Sequence, residues 1–520
     1  MKNLRENLVF CLILIFTFVL IYRLFSLQVL KGNYYRALSF GIHNSFAESV
    51  TKRGEIFFAG GEPLALNREY FFVFATPRKI EEKEKTAKTL SEILNLNEEE
   101  ILEKIKEDKN FSLIKEKLTE EEVDKIKRSN LPGVFVESKI ERYYPQKNLA
   151  SNIVGFVDAE GNGRYGLEEY YDEILKRGEN LILTIDFRIQ YQAEKLLEKA
   201  KENLGIEGGQ IIVAEPTSGK IIAFASFPNF DPNSYSEYAK NLEVFKNPGT
   251  QNLFEPGSVF KSITMAAALE EGKITPETTY RDPGEIKIDG WTIRNYGHKV
   301  FPGEITMTKV LENSINTGAV FVKNRLENST FLNYIGNFGF FEKTGIDLPE
   351  VFSENKELKS GRDVNLATAS FGQGVAITPI QLLRAYCAIA NGGKLITPYL
   401  VENFHNENSR KILSQKTTSQ LTSMLVSVVE KGSGRRAKIP GYYIAGKTGT
   451  ALQPKVGEKG YSEKTWQTFV GYFPAYNPKV AILVKLDNPA TKDAGYSAVP
   501  IFHDLADYII KLYQIPPDYE

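Results

Sequence analysis

The sequence predicts an α+β chain held by an N-terminal anchor, and three features carry that expectation. Three apolar runs suited to strands, 443–450, 466–473 and 480–486, follow one another late in the chain, and a helical run at 502–512 closes the order. Neighbouring strands ending in a helix are the pattern of an antiparallel sheet with helices laid against it. Earlier, 211–215 and 221–226 flank Pro216-Thr217-Ser218-Gly219 and read as a strand pair joined by a turn. Helical runs at 188–204, 258–270 and 379–390 occupy the space between.

From the N-terminus, residues 8–22 carry no charge, and beyond Arg23 the segment 24–30 stays mostly apolar. Together they can span a bilayer if Arg23 reaches back to the interface. No small-x-small cleavage site follows, so an uncleaved transmembrane helix over 8–30 is expected in place of a signal peptide, with 1–7 a short cytoplasmic tail. Flanking charge leaves the orientation open, since Lys2 and Arg5 are matched by Arg23, Lys31 and Arg36. A first extramembrane domain is expected over 31–178. Within it, 76–130 is dense in Lys and Glu, and Leu90, Ile93, Leu94 and Ile101, Leu102, Ile105 recur at helical spacing, which predicts a solvated helical subdomain. Glycines at 155, 161, 163 and 166 among aromatics then predict turns and short strands. A boundary falls near Gly178, and a second domain over 179–520 opens with a strand at 181–185.

Length suits two or three globular units. Of the 520 residues 42% are hydrophobic and 25% charged, with a net charge of −1, which excludes a disordered chain and argues against nucleic acid as a partner. Cys11 and Cys387 lie in different segments, so no disulfide is expected.

A serine attacks an amide only when its proton is removed, and a lysine one helical turn later can do this. Ser258-Val259-Phe260-Lys261 has that spacing, but so do Ser49 with Lys52, Ser112 with Lys115 and Ser353 with Lys356. Context separates them: Ser258 follows Pro256-Gly257 and opens an apolar helix, whose N-terminal amides favour developing negative charge. Ser112 falls in the charged helical region and Ser49 just past the anchor. Ser314-Ile315-Asn316 supplies a hydroxyl and an amide on one short turn, able to relay a proton and to hold a carbonyl. Ser353-Glu354-Asn355 repeats the pattern in a charged loop. Lys447-Thr448-Gly449-Thr450 ends a strand, where a cation can pair with a substrate carboxylate and glycine admits close backbone. Lys343-Thr344-Gly345 has no strand leading into it.

With these three sites in order, the chain resembles the penicillin-binding family, whose signature is Ser-x-x-Lys, Ser-x-Asn and Lys-Thr-Gly. The likeness extends to Glu255-Pro256-Gly257-Ser258, Phe371-Gly372-Gln373-Gly374, Ala390-Asn391-Gly392-Gly393 and the stretch from Ala445 to Ala451, all similar to monofunctional class B enzymes. Leu27-Gln28-Val29-Leu30, Arg53-Gly54-Glu55-Ile56, 142–145 and Tyr165-Gly166-Leu167-Glu168 resemble anchor-proximal and pedestal motifs of that class. Phe57-Phe58-Ala59-Gly60-Gly61 departs from its usual Asp-Arg-Asn-Gly.

The resemblance implies a penicillin-binding/β-lactamase-like transpeptidase domain over 179–520, a five-stranded antiparallel sheet with helical lobes, on an elongated pedestal or dimerisation-like domain. It implies peptidoglycan D,D-transpeptidation on D-alanyl-D-alanine stem peptides and covalent capture of β-lactams, with neither metal nor cofactor. Ser258 would be the nucleophile, Lys261 the general base and Ser314 the proton relay. Asn316, Lys447, Thr448, Gly449 and Thr450 would bind substrate, with the N–H groups of Ser258 and Thr450 as oxyanion hole. Thr344-Gly345-Ile346-Asp347-Leu348-Pro349 looks more like septal than elongation enzymes. A membrane-embedded glycan polymerase of the SEDS family is the implied partner, and wall peptides place the catalytic domain outside the cytoplasmic membrane. Two rival readings are a β-lactamase-like hydrolase or β-lactam sensor, and an inactive wall-assembly scaffold. Between Asn316 and Lys447 there is no Glu-x-x-Asn to activate a water, and all motif side chains are present.

Overall fold

In a computed structural model, the structure describes residues 52–520 apart from 406–407, 456 and 459, together with Thr17. The expected anchor at 8–30, apart from Thr17, lies outside the described residues, as do Ser49 and Cys11. Among the described residues no helix is long and apolar enough to cross a membrane. The chain forms two compact units, a smaller one that includes 67–143 and a larger one of 54–66 and 144–520.

In the smaller unit, the helices Lys83–Leu94, Glu98–Lys106 and Glu120–Ser129 turn Leu90, Leu94, Ile101, Ile105, Val123 and Ile126 inward to a common core. Their ends carry local stops and starts. Asn97 accepts the Glu99 N–H at 2.8 Å, Thr119 and Glu122 form a reciprocal capping box, and left-handed Asn95 and Asn130 end two helices. One expectation fails here: 76–130 is not all helix, and Ser112 begins a strand, Ser112–Leu118. It pairs antiparallel with Phe71, Val73, Phe74 and Ala75 of the strand Pro63–Ala75, which also pairs with Val134–Tyr143. Ile114 and Leu118, its buried residues, are four apart, and that spacing shares a face in a helix and in a strand alike. The available strand partner decides between them.

The larger unit is built on an antiparallel sheet. Asp186 caps α1 (Phe187–Leu204) through the Arg188 N–H at 2.9 Å, and left-handed Gly205 ends it. Strands β1 (Gly208–Ala214) and β2 (Ile221–Phe227) follow. Then come α2 (Lys261–Glu270), α3 (Met307–Glu312), α4 (Asn316–Lys323), α5 (Pro379–Ala390) and α6 (Gln415–Lys431). Strands β3 (Ala445–Pro454), β4 (Tyr461–Phe473) and β5 (Val480–Asp487) and helix α7 (Ala498–Tyr513) complete it. The sheet order is β3-β4-β5-β1-β2, every pair antiparallel, with β3 at one edge.

Strand alternation sorts the side chains into two cores. Ile211, Val213, Phe469, Ile482 and Val484 join α1 and α7 on one face, while Ile212, Val470, Tyr472, Ala481 and Leu483 join α2, α5 and α6 on the other. Both faces are therefore covered, which is why β1 and β5 read as nearly continuous apolar runs. Cys387 is buried on α5 and makes no disulfide. The sheet and the helical layer thus meet at the edge strand β3, and there the three motifs converge.

Candidate active site

Ser258 does not sit inside α2 but in a 3-10 turn, Gly257–Phe260, that leads into it. A 3-10 turn has three residues per revolution, so residues i and i+3 eclipse and Lys261 stands directly over Ser258. The turn is pinned from below. Ser262 Oγ and the buried Tyr386 hydroxyl of α5 lie 2.8 Å apart, and Tyr386 also donates to the Val259 carbonyl at 2.8 Å. Gly257, at φ +60°, donates to Gly372 O at 3.0 Å. Gly449 of β3 crosses so close that a Cβ there would stand 2.7 Å from Pro256 O. Glycine at 449 is thus what lets the edge strand approach the Ser258 turn.

Between α3 and α4, Ser314 is left-handed at φ +56°, an uncommon state for a residue with a Cβ and one that clusters at functional sites. The corner aims two Ser314 oxygens at Lys261: Nζ lies 2.6 Å from Ser314 O and 3.2 Å from Ser314 Oγ. It also lies 2.8 Å from Asn316 Oδ1 and 3.0 Å from Ser258 Oγ. From β3, Lys447 Nζ donates to Ser314 Oγ and to Thr448 O, each at 3.0 Å, and to Thr448 Oγ1 at 3.3 Å. Ser258, Lys261, Ser314, Asn316 and Lys447 therefore form one connected cluster.

Both ammonium groups are wholly buried, and among the described residues neither has a carboxylate within ion-pair distance. Burial pushes Lys261 far below the ordinary lysine range, and repulsion from Lys447 adds to the effect. Burial alone brings Lys447 down to about 7. A neutral Lys261 amine has two N–H groups and one lone pair. Ser314 O and Asn316 Oδ1 can take the two N–H groups, which leaves the lone pair toward the Ser258 hydroxyl. That is the geometry of a general base and its nucleophile.

The remaining motif residues line the same opening or its wall. Thr448 Oγ1 lies 2.9 Å from Ser433 Oγ, and Thr450 Oγ1 accepts the Ala494 N–H at 3.3 Å. Asn316 Nδ2 donates to Arg294 O at 2.9 Å, so its second N–H is left for a substrate carbonyl. Lys447 differs from its expected part: its three donors face protein acceptors, so direct pairing with a substrate carboxylate is not set up. The alternatives with matching spacing stay apart from the cluster. Ser112 starts a strand of the smaller unit, Ser353 Oγ accepts the Asn355 N–H at 3.1 Å, and the N–H groups of Thr344 and Gly345 both donate to Glu350.

A cleft of about 840 Å³ opens over Ser258, Ser314, Asn316, Thr448 and Thr450. Several of its residues escaped the sequence reading, among them Ser433, Arg436, Asp493 and Tyr496. The turns Gly432-Ser433-Gly434 and Asp493-Ala494-Gly495 carry residues suited to loops, but nothing local in the sequence ties them to Ser258. Behind Asn316, Asp282 accepts from Thr317 Oγ1 at 2.6 Å and from Asn295 Nδ2 at 2.9 Å, which fixes the loop carrying Arg294.

Comparison with known proteins identifies the family. Residues 209–507 match the penicillin binding protein transpeptidase domain, and residues 48–185 the penicillin-binding protein dimerisation domain. Stage V sporulation protein D of Bacillus subtilis is 33% identical, over 96% of this chain and 84% of that protein. The peptidoglycan D,D-transpeptidase FtsI homolog of Mesostigma viride is 29% identical, over 96% of this chain and 94% of its own. Among solved structures, penicillin binding protein 3 of Mycobacterium tuberculosis complexed with aztreonam superposes with a TM-score of 0.72 at 26% identity, covering 90% of this chain and 97% of that one. The chain therefore belongs to the class B penicillin-binding proteins, the peptidoglycan D,D-transpeptidases that join a transpeptidase domain to an N-terminal dimerisation domain.

Proposed function

We propose that Ser258 carries the acyl group in peptidoglycan cross-linking, with Lys261 as its base. The observation that carries this assignment is the Lys261 amine, buried with no carboxylate partner among the described residues and 3.0 Å from Ser258 Oγ. Ser258 Oγ attacks the carbonyl of the penultimate D-alanine while its proton passes to Lys261 Nζ. The oxyanion meets the N–H groups of Ser258 and Thr450. As the C–N bond breaks, the proton moves through Ser314 Oγ to the departing D-alanine amine, leaving an ester on Ser258. An amine of a neighbouring stem peptide then attacks the ester and gives its proton to the lysine. Ser258 leaves and recovers that proton. Asn316 orients the donor peptide, Lys447 holds the Ser314 hydroxyl in line, and the Thr448 and Thr450 hydroxyls meet the terminal carboxylate.

Transfer is favoured over hydrolysis because Asp493 is the single carboxylate lining the cleft among the described residues, and its Oδ1 accepts the Gly495 N–H at 2.9 Å. A β-lactam offers a strained amide to the same serine, and its opened ring stays attached. Intact-protein mass spectrometry with peptide mapping should find a slowly hydrolysed adduct on Ser258, absent in Ser258→Ala. An adduct on Ser112 or Ser353, or rapid turnover of the drug, would defeat the assignment.

Residues 8–30 serve as a single-pass anchor, with the catalytic domain on the outer face of the cytoplasmic membrane, where wall peptides lie. A SEDS-family polymerase is the proposed partner, reached through the anchor and the first domain. Protease added to intact spheroplasts should digest the large domain; protection until lysis would overturn the topology.

A further inference from the structure

The cleft is charged unevenly. Lys299, Arg435, Arg436 and Lys492 line it against the lone carboxylate of Asp493, and among the described residues none of these four cations pairs with an acid. They come from three loops: the Tyr296 hydroxyl joins the loop of Lys299 to the Lys492 carbonyl at 3.4 Å, and Arg436 joins the turn of Arg435 to the loop that follows Lys492. Arg436 is the most constrained of the four. Its Cζ lies 3.8 Å from the centre of the Tyr496 ring, and Nη1 donates to the Gly495 carbonyl at 3.3 Å. Stacking sets the guanidinium plane and one bond sets its rotation, which leaves Nε and Nη2 free to meet a carboxylate side-on. Lys447, by contrast, is buried and turned inward, so these exposed cations carry the cleft's available positive charge.

A stem peptide brings more than one carboxylate to such a surface. Besides its terminal carboxylate it carries the α-carboxylate of a γ-linked glutamate and, where the diamino acid is a dicarboxylic one, a further carboxylate. Each of these inner groups can exist free or as a carboxamide. Resting on the reading of the cleft as the stem-peptide site, we infer that its cationic end is a subsite for an inner carboxylate, with Arg436 as the fork, and that it selects unamidated stem peptides. A carboxamide loses the charge and puts N–H donors where an acceptor belongs.

The test uses the full chain in detergent and two synthetic donor peptides ending in D-alanyl-D-alanine, identical except that the inner carboxylates of one are carboxamides. The ratio of kcat/KM, free over amidated, is read at low and high salt. For the wild type it should be at least about tenfold, the scale of losing a hydrogen bond to a charged group, and should shrink with salt. It should collapse toward one in Arg436→Gln and stay intermediate in Arg436→Lys, which keeps the charge without the fork. Thermal unfolding checks that each variant is folded. Equal reaction of both peptides, or preference for the carboxamide, overturns the inference and leaves the transpeptidase reading intact. An undiminished ratio in Arg436→Gln combined with Lys299→Gln overturns the subsite. If neither peptide reacts and penicillin leaves Ser258 unmodified, both readings fall.

Discussion

Two lysines of the smaller unit and two of the larger do opposite things. In the smaller one, Lys125 reaches Glu121 at 2.6 Å and Lys85 reaches Glu82 at 2.7 Å, with all four side chains more than half exposed. The Glu82 carboxylate raises the Lys85 pKa. In the larger unit Lys261 and Lys447 have no exposure and, among the described residues, no acid beside them, and both pKa values fall. The side chain is the same, and solvent decides its chemistry. A lysine in water with a carboxylate is a permanent cation, whereas a lysine stripped of water beside a second cation can hold its nitrogen lone pair at neutral pH.

The contrast can be broken most sharply at Lys261. Lys261→Arg keeps a charge but cannot give up its proton, and stopped-flow acylation by a chromogenic cephalosporin should slow by about 10²–10⁴-fold, the range for losing a general base. Near wild-type acylation would move the base elsewhere.

Lys447 should show a smaller and more informative effect. Removing it in Lys447→Met lifts the repulsion that helps depress Lys261, so the Lys261 pKa rises and the acid limb of the acylation profile moves to higher pH. At any pH on that acid limb, acylation should slow by about tenfold for each unit of the movement. Stability should move the other way. The folded-state pKa of Lys447, about 7, lies below the ordinary lysine value of 10.5, so between those values the unfolded chain binds more protons and stability rises with pH. The denaturation midpoint of the wild type should climb from pH 7 to pH 10, and less steeply in Lys447→Met. An unchanged slope would mean that Lys447 is solvated.

The smallest effect belongs to the exposed pair. Lys125→Ala should leave both the acylation rate and the unfolding midpoint where they are, because a surface pair is screened by water and salt. A measurable loss of activity would contradict the contrast between the two environments.

The motifs were legible because their chemistry is encoded at short range: three residues from Ser258 to Lys261, two from Ser314 to Asn316, and an unbroken run at Lys447-Thr448-Gly449. The matching decoys were separable by context: Ser258 opens an apolar helix, whereas Ser112 falls in a charged region read as helical, Ser353 in a charged loop, and no strand leads into Lys343-Thr344-Gly345. The antiparallel sheet was legible for a similar reason, since strands adjacent in sequence are adjacent in space along β3, β4 and β5. What stayed hidden depends on contacts between distant segments. The left-handed Ser314 that points two oxygens at Lys261 has no signature in Ser-Ile-Asn. The inward turn of Lys447 depends on Ser314, far away in sequence. Arg436 and Tyr496 meet only because two loops close over the same cleft. The strand at 112–118 was hidden for another reason: its apolar spacing fits two periodicities, and only pairing with residues 71–75 chooses.

The central claim is that a buried, neutral Lys261 activates Ser258, and the pH dependence of single-turnover acylation tests it most directly. Rates of Ser258 ester formation should be measured from pH 5 to pH 10 by quenched-flow mass spectrometry on the wild-type protein. The expected profile rises with deprotonation of a group well below the ordinary lysine value of 10.5 and is level above it. A rate that kept climbing tenfold per pH unit to pH 10 would show that Lys261 remains an ordinary cation and would contradict the mechanism.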